Sequence, residues 1–349
     1  MAYRIRGVVL PERVERTFWV EGSRISTEEV PGAETVVDGG WLVPGLVDAH
    51  THPGAESPED PFDEAMLRDH LLAHRDAGVL LVRTPGSVER IPGWVDEDPE
   101  MPRVQSAGRW LATAGHFFPG YPLRFGLDEL AAAAVEEAKA SSGWCKVIGD
   151  WMPDDEAVPL EVLRAVTGAV HAVGGKVAVH ATTAEGSRNA VLAGVDSLEH
   201  GRYLDPDLLD QMAAQGTALV PTLTVAAQGA ARVRAAPPSA RRDWWLAGWD
   251  AMPALIRSAH EAGVTVLAGT DSLPFGNIAA EIAHLRQAGL SPEAALGSAS
   301  WTARAWLGMP GLVHGAPADL VAYDADPVTT PEVLADPVCI MLRGQIVKR

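Results

Sequence analysis

Cysteine is nearly missing from this chain. Its two cysteines, Cys145 and Cys339, stand far apart, each beside apolar neighbours. So sparse a set excludes a disulfide-stapled scaffold and predicts two buried free thiols in a reducing cytoplasm. Basic residues are also short, 28 against 46 acidic ones, for a formal net charge of −18. That balance argues against nucleic acid or an anionic membrane as partner. No apolar run is long enough to span a bilayer, and Met1 to Leu10 lacks the apolar stretch of a secretory signal. The expectation is a soluble cytoplasmic protein; a homo-oligomer is compatible with everything in the sequence.

What is present fits a globular chain with a large core: 47% hydrophobic and 21% charged residues. Residues 1 to about 43 are β-like, as in Ile5-Arg6-Gly7-Val8-Val9-Leu10, Thr17-Phe18-Trp19-Val20 and Glu34-Thr35-Val36-Val37. From His50 onward a refrain sets in: an amphipathic helix, a glycine, then a short Val/Leu-rich strand. Gly78 precedes Val79-Leu80-Leu81-Val82, Gly143 precedes Trp144 to Ile148, and Gly175 precedes Lys176 to Val179. Gly194, Gly216 and Gly263 introduce three more. Glycine just past a helix takes the left-handed conformation that ends it.

With Leu46-Val47-Asp48 and Arg103 to Ser106 the count reaches eight strands. Strands alternating with helices predict a parallel sheet, and eight close a (β/α)8 barrel, an α/β fold. The predicted barrel covers 46–311; residues 1–45 and 312–349, both strand-rich, are expected to pair into a small β-sandwich domain built from both chain ends. The structural rival is a doubly wound open sheet, which normally carries a glycine-rich phosphate loop after its first strand; none is here. The Ala-rich stretch Ala226 to Ser239 predicts a flexible lid.

The chemistry collects at strand ends. In such a barrel, functional side chains stand at the C-terminal ends of the strands, around one mouth. The first strand ends in His50 and His52, the fourth carries Lys146, the fifth ends in His180, the sixth in His200 and the eighth in Asp271. Imidazoles held together on a rigid edge suit a divalent transition metal. Taken singly, His50-Thr51-His52 is a weak signal and Asp271 reads first as a turn cap; beside four strand-end histidines it reads as a ligand.

Val43-Pro44-Gly45-Leu46-Val47-Asp48-Ala49-His50-Thr51-His52 resembles the opening signature of the amidohydrolase superfamily. Ser197-Leu198-Glu199-His200-Gly201 and Gly269-Thr270-Asp271 resemble its sixth- and eighth-strand motifs, and Gly315 to Val321 its return into the β-sandwich. The resemblance leans to the branch holding imidazolonepropionase and the Xaa-Pro dipeptidases. It implies a hydrolase of carbon–nitrogen bonds acting on a small molecule, with His50, His52 and Asp271 on one metal and His180 and His200 on a second. Lys146, carboxylated on its amine, would bridge them, since an ammonium has no lone pair to give. Zinc comes first among metals that such a set tolerates, as one or two ions; a bare Lys146 would leave a single-metal site. Asp271 would take the proton of the attacking water and deliver it to the leaving nitrogen.

His116 resembles a family histidine that meets the substrate carbonyl, and Tyr203 could supply a phenolic donor to the oxyanion. Trp151, Phe117, Phe118 and Phe275 follow strand ends and read as an apolar wall or simply as packing. Arg83 and Arg109 read as carboxylate grips or, more commonly, as salt-bridged barrel arginines. Glu199 is expected on the face opposite His200. His70 and His74, flanked by Arg68, Asp69, Arg75 and Asp76, are expected on a solvated outer helix, and His171, His260, His284 and His314 away from the site. The rival function is a mononuclear deaminase or cyclic-amidine hydrolase acting on a heterocycle. Against it, the first acid after His180 is Glu185, at the wrong spacing for proton management there. The remaining alternative is a non-enzymatic binding protein on the same barrel, which every filled ligand position opposes.

Overall fold

The computed structural model describes residues 1–57 and 60–349. Four strands open the chain, β1 (Ala2–Val9), β2 (Val14–Glu21), β3 (Arg24–Ser26) and β4 (Glu34–Pro44). The middle carries β5 (Leu46–Asp48), β6 (Val79–Thr84), β7 (Arg103–Ser106), β8 (Trp110–Ala112), β9 (Leu123–Arg124), β10 (Trp144–Ile148), β11 (Lys176–Ala181), β12 (Ser197–His200) and β13 (Ala218–Val220). The chain ends in β14 (Leu320–Tyr323), β15 (Cys339–Leu342) and β16 (Gln345–Lys348).

The first and last strands form one seven-stranded sheet, ordered β16-β15-β14-β4-β1-β2-β3. Alternation along its strands buries Ile5, Phe18, Val20, Leu42, Leu320 and Met341 in an apolar core of their own. Asp319 ties this sheet to the middle of the chain: its carboxylate, fully buried, meets Arg103 at 2.7 Å and Arg304 at 3.7 Å. Cys145 and Cys339 are buried free thiols, as expected.

The middle strands are all parallel, in a six-stranded sheet β13-β12-β11-β10-β8-β9 and a three-stranded sheet β5-β6-β7. The expected third strand forms as β7, Arg103–Ser106, but a break in the sheet follows it. β7 pairs with β6, the chain turns at Gly108 (φ +68°), and only then does β8 pair with β10. Buried Glu137 fixes the break, accepting from the Arg109 amide at 3.0 Å; a Cβ on Gly108 would lie 2.5 Å from its Oε2. Across that seam Ser87 still bridges Arg109. The expected eighth strand is a single bridge, Leu219 to Val266, because its amides divide between neighbours. Leu267 donates to Leu219, Ala268 to Ser298, and Ala268 in turn accepts from Ala49. Gly78, Gly194, Gly216 and Gly263 end helices as expected, with φ between +75° and +85°. Before β11, Gly174 (φ +75°) takes the left-handed conformation rather than Gly175, and Gly143 (φ +83°) stands four residues past the helix end at Lys139.

Helices cover the outer faces. The Ala-rich stretch expected as a flexible lid is instead helical, in Leu223–Ala235, and Pro237 and Pro238 make the turn into the long helix Ala240–Glu261. The helix Glu64–Asp76 also differs from expectation. Leu67, His70, Leu71 and His74 form its buried stripe, at the i, i+3, i+4, i+7 spacing of one helix face, and the charged residues flank it. His70 stacks on Phe275 at 3.9 Å, and its Nδ1 accepts from the Gly54 amide.

Burial pushes the His74 imidazole down to about 3, helped by nearby His70. The unfolded chain therefore binds a proton in the window between about 3 and 6.5 that the folded chain refuses. The sign follows: this group leaves stability intact above pH 6.5 and removes about 1.4 kcal/mol per pH unit as pH falls through the window. Urea denaturation from pH 7 to 4.5 is expected to show that slope, and His74→Leu to flatten it; parallel slopes in the two proteins would refute the assignment.

Candidate metal centre

All six expected ligand positions line one cavity of about 1090 Å³ at the C-terminal ends of the parallel strands. Parity brings two of them there, Lys146 and His180. On β10, Trp144, Lys146 and Ile148 share the inward face while Cys145 and Val147 pack outward against helices. On β11, Ala178 and His180 face inward likewise. The β11–β12 register sets His180 level with Glu199, so Glu199 also points in. His200 would then point out, yet it reaches the cavity because its backbone is left-handed, φ +70°. The expectation that Glu199 and His200 face opposite ways fails at this one dihedral. Among the described residues, six non-glycine residues have positive φ, and four of them, Phe117, His200, Thr222 and Asp271, line the cavity, so backbone strain concentrates where the chemistry does.

The geometry of the floor is close. His50 Nε2 and His52 Nε2 face each other at 3.1 Å, and Asp271 Oδ1 lies 3.3 Å from His52 Nε2 and 3.8 Å from His50 Nε2. The His180 and His200 rings are 4.5 Å apart, and His200 lies 5.0 Å from His50, centre to centre. Each imidazole of the first pair has its other nitrogen engaged. His50 Nδ1 donates to Glu199 Oε2 at 2.7 Å, and His52 Nδ1 to the Gly86 carbonyl at 2.7 Å. His200 Nδ1 meets Thr222 Oγ1 at 2.7 Å.

Those outer bonds decide the tautomers of His50 and His52. A carboxylate and a carbonyl only accept, so Nδ1 carries the proton and Nε2 a lone pair in both rings. Two lone pairs aimed at one another beside a carboxylate repel unless a cation lies among them. His50, His52 and Asp271 could hold such an ion, each offering an atom within 4.8 Å of the others. Among the described residues, buried Lys146 Nζ and His180 Nε2 find no hydrogen-bond partner. A divalent metal fits this donor set.

Electrostatics agree. Burial first, then the neighbouring charges His50 and Lys146, hold the His52 imidazole well below its ordinary range; His180 and His200 are lowered in the same way. The three stay neutral, the ligating form. Burial lowers the Lys146 amine to about 8, so a reactive free-base fraction is present near neutral pH. Burial also raises the Asp271 carboxyl, His50 and Lys146 opposing it. Burial would raise Glu199 too, but Arg83, Lys146 and His50 hold it well below the usual carboxylate range.

Two residues escaped the sequence reading. Asp48, fully buried, accepts from the Thr270 hydroxyl at 2.6 Å, the Thr270 amide and the His50 amide, and so fixes the Asp271 loop against the first strand. Glu281 accepts from the Leu223 and Thr224 amides and holds the start of their helix. Only the Asp48-x-His50-x-His52 spacing carried a trace of the first, and nothing in the sequence pointed to the second. Arg83 and Arg109 are salt-bridged, to Glu199 at 3.0 Å and Glu137 at 2.9 Å. Trp151, Phe117, Phe118 and Phe275 line the cavity, whereas His116 and Tyr203 are not among its lining residues. The His116 ring turns to Thr113 Oγ1, at 2.5 Å, and the Tyr203 hydroxyl donates to the Trp244 carbonyl, also at 2.5 Å.

A family model described as the amidohydrolase family matches residues 129–347. The chain belongs to the amidohydrolase family. An uncharacterized protein of Mycobacterium tuberculosis is 39% identical to this amidohydrolase over 356 residues, covering 98% of this chain and 94% of the relative. The ochratoxinase of Aspergillus niger is 28% identical over 182 residues, 47% of this chain and 35% of that one. Among solved structures, a Xaa-Pro dipeptidase with bound methionine superposes with a TM-score of 0.87 over 100% of both chains at 22% identity. A putative prolidase from Bifidobacterium longum gives 0.84 at 26% identity, over 100% of this chain and 95% of that one. This places the chain near the Xaa-Pro dipeptidase-like branch, and as an amidohydrolase it is a hydrolase of carbon–nitrogen bonds. Among the described residues, no helix of this amidohydrolase is long and apolar enough to cross a membrane.

Proposed function

We propose that this amidohydrolase cleaves a small amide, a dipeptide, an N-acyl amino acid or a cyclic amide, at a metal centre on the cavity floor. The observation that carries this reading is the pair of Nε2 lone pairs, on His50 and His52, facing each other at 3.1 Å beside Asp271. In the reading, the parallel strands close as a (β/α)8 barrel over 46–311, and the two chain ends form a sandwich-like second domain. His50, His52 and Asp271 hold one divalent cation, zinc first, and His180 and His200 hold a second. Lys146 joins them as a carbamate, which would give its orphaned nitrogen a role.

When bound, the metal supplies a water activated near neutral pH and polarises the scissile carbonyl. Asp271 accepts that water's proton at a carboxylate oxygen and returns it to the leaving nitrogen. Glu199 holds His50 by its Nδ1 proton, and Gly86 holds His52, so both rings are oriented before substrate arrives. Trp151 and Phe117, in edge contact at 5.0 Å, shield the site from bulk water. Tyr203, stacked on Trp244 at 5.2 Å, positions that part of the wall.

Stripping metal with a chelator is expected to lower amidase activity by at least ~100-fold, and zinc to restore it. Metal content and intact mass in bicarbonate should give two ions per chain and a carboxylated Lys146. The His50, His52, Asp271 trio is the tightest group, so one ion and a bare lysine would shift the reading to the mononuclear enzyme on a heterocycle. Undiminished activity in the stripped protein would sink both.

A further inference from the structure

The cavity wall carries a cation that the chemistry above does not use. Gly201, left-handed at φ +57°, turns the chain out of β12 just after His200, and Arg202 lines the cavity next to it. Among the described residues no carboxylate forms an ion pair with Arg202; the charges acting on it, Tyr203 and Asp150, act without contact. Arg83, Arg109 and the rim residue Arg242 each have an acidic partner, and Arg232 and Arg241, which have none among the described residues, are exposed to solvent where Arg202 is not. A half-buried guanidinium without a counterion is costly unless something else supplies one.

The structure builds a cradle for this one. The guanidinium carbon lies 4.4 Å from the Trp245 ring centre and 6.0 Å from that of Trp244. Stacking on a ring fixes the plane of the fork and leaves its N–H edge for an oxyanion. Gly248, inside the helix Ala240–Glu261, makes the room. A Cβ there would lie 2.6 Å from Arg202 Cδ and 2.7 Å from Cγ. Glycine weakens a helix interior, and here the space it opens is filled by the arginine stem. A chain of net charge −18 repels anions at long range, yet this cavity gathers Arg202, Arg232, Arg241 and Arg242 against Glu56 and Asp271.

We propose that Arg202 is a specificity-determining residue that binds a carboxylate on the substrate. The enzyme then prefers amides with a free carboxylate, N-acyl amino acids or dipeptides with a free C-terminus, over neutral and cyclic amides. The inference rests on the carbon–nitrogen hydrolase reading for its substrate, but its binding step can be tested apart from turnover.

The experiment uses the metal-loaded full chain and two probes, 3-phenylpropanoate and neutral 3-phenylpropanamide, titrated by calorimetry into wild type, R202M, R202K and G248A. Wild type should favour the carboxylate by about 30- to 100-fold, the worth of a charge-assisted bidentate contact. R202M should erase the preference and R202K keep part of it. G248A, which displaces the guanidinium without removing its charge, should weaken it as well. If R202M does not fold, R202K and G248A carry the test. Equal binding of both probes by wild type, or a preference intact in R202M, overturns the proposal. Acetate release from N-acetyl-L-phenylalanine against N-acetyl-2-phenylethylamine then separates the two readings. A carboxylate preference that depends on Arg202, with neither amide cleaved, would leave this proposal standing and count against the amidase.

Discussion

Asp271→Asn is expected to lower kcat by roughly 10²- to 10⁴-fold, the worth of a positioned proton acceptor. The substitution suits the question because of the backbone. Asp271 sits at φ +47°, in the left-handed region that asparagine tolerates better than most side chains, so the loop keeps its shape. Its amide still donates to the His50 carbonyl at 2.8 Å, and Thr270 stays pinned by Asp48. What changes is the atom 3.3 Å from His52 Nε2: an amide oxygen can coordinate weakly but cannot take and return a proton. The melting temperature should therefore stay near that of wild type while turnover collapses. A variant retaining kcat to within about threefold would remove Asp271 from the chemistry, a change too small for any general base.

How much of this was legible beforehand follows from what each signal encodes. The glycine that ends a helix is a local conformational demand, readable from sequence, and Gly78, Gly194, Gly216 and Gly263 obey it. The ligand residues sat at predicted strand ends, and the structure gathers all six around one cavity. Tertiary decisions were not legible. Strand alternation correctly implies that Glu199 and His200 diverge, and a single left-handed dihedral at His200 cancels the implication. The sheet breaks at Gly108, between β7 and β8, because Glu137, nearly 30 residues later in sequence, claims the Arg109 amide. His70 and His74 were misplaced for another reason. Histidine gives no clear hydropathy signal, so the charged residues on the helix flanks outweighed the Leu67, His70, Leu71, His74 stripe that is actually buried.

Beneath the site, Arg83→Met should destabilise the fold by about 3–5 kcal/mol, the typical cost of leaving one partner of a buried ion pair uncompensated. Arg83 and Glu199 are both essentially inaccessible, 1% and 0% exposed, and meet at 3.0 Å. Arg83 also donates to the Ala49 carbonyl and stacks over Trp144 at 4.3 Å, so it sits at the core of the parallel strands as charge and as filler. Methionine replaces the stem but not the charge. Glu199 would then keep only the Ser197 hydroxyl and His50 Nδ1 as partners for a carboxylate in a dry interior. Protonating Glu199 relieves that strain, but it removes the anion that holds the His50 proton on Nδ1, so the damage travels to the metal ligand. The same logic gives the rescue. Adding Glu199→Gln to Arg83→Met removes the orphaned charge and should recover a good part of the stability. It should not recover metal affinity, which a lost carboxylate partner of a ligating histidine lowers about 10- to 100-fold. Urea denaturation and zinc titration of the two single variants and the double separate these effects. A strictly additive cycle would mean that Arg83 and Glu199 do not act as a pair.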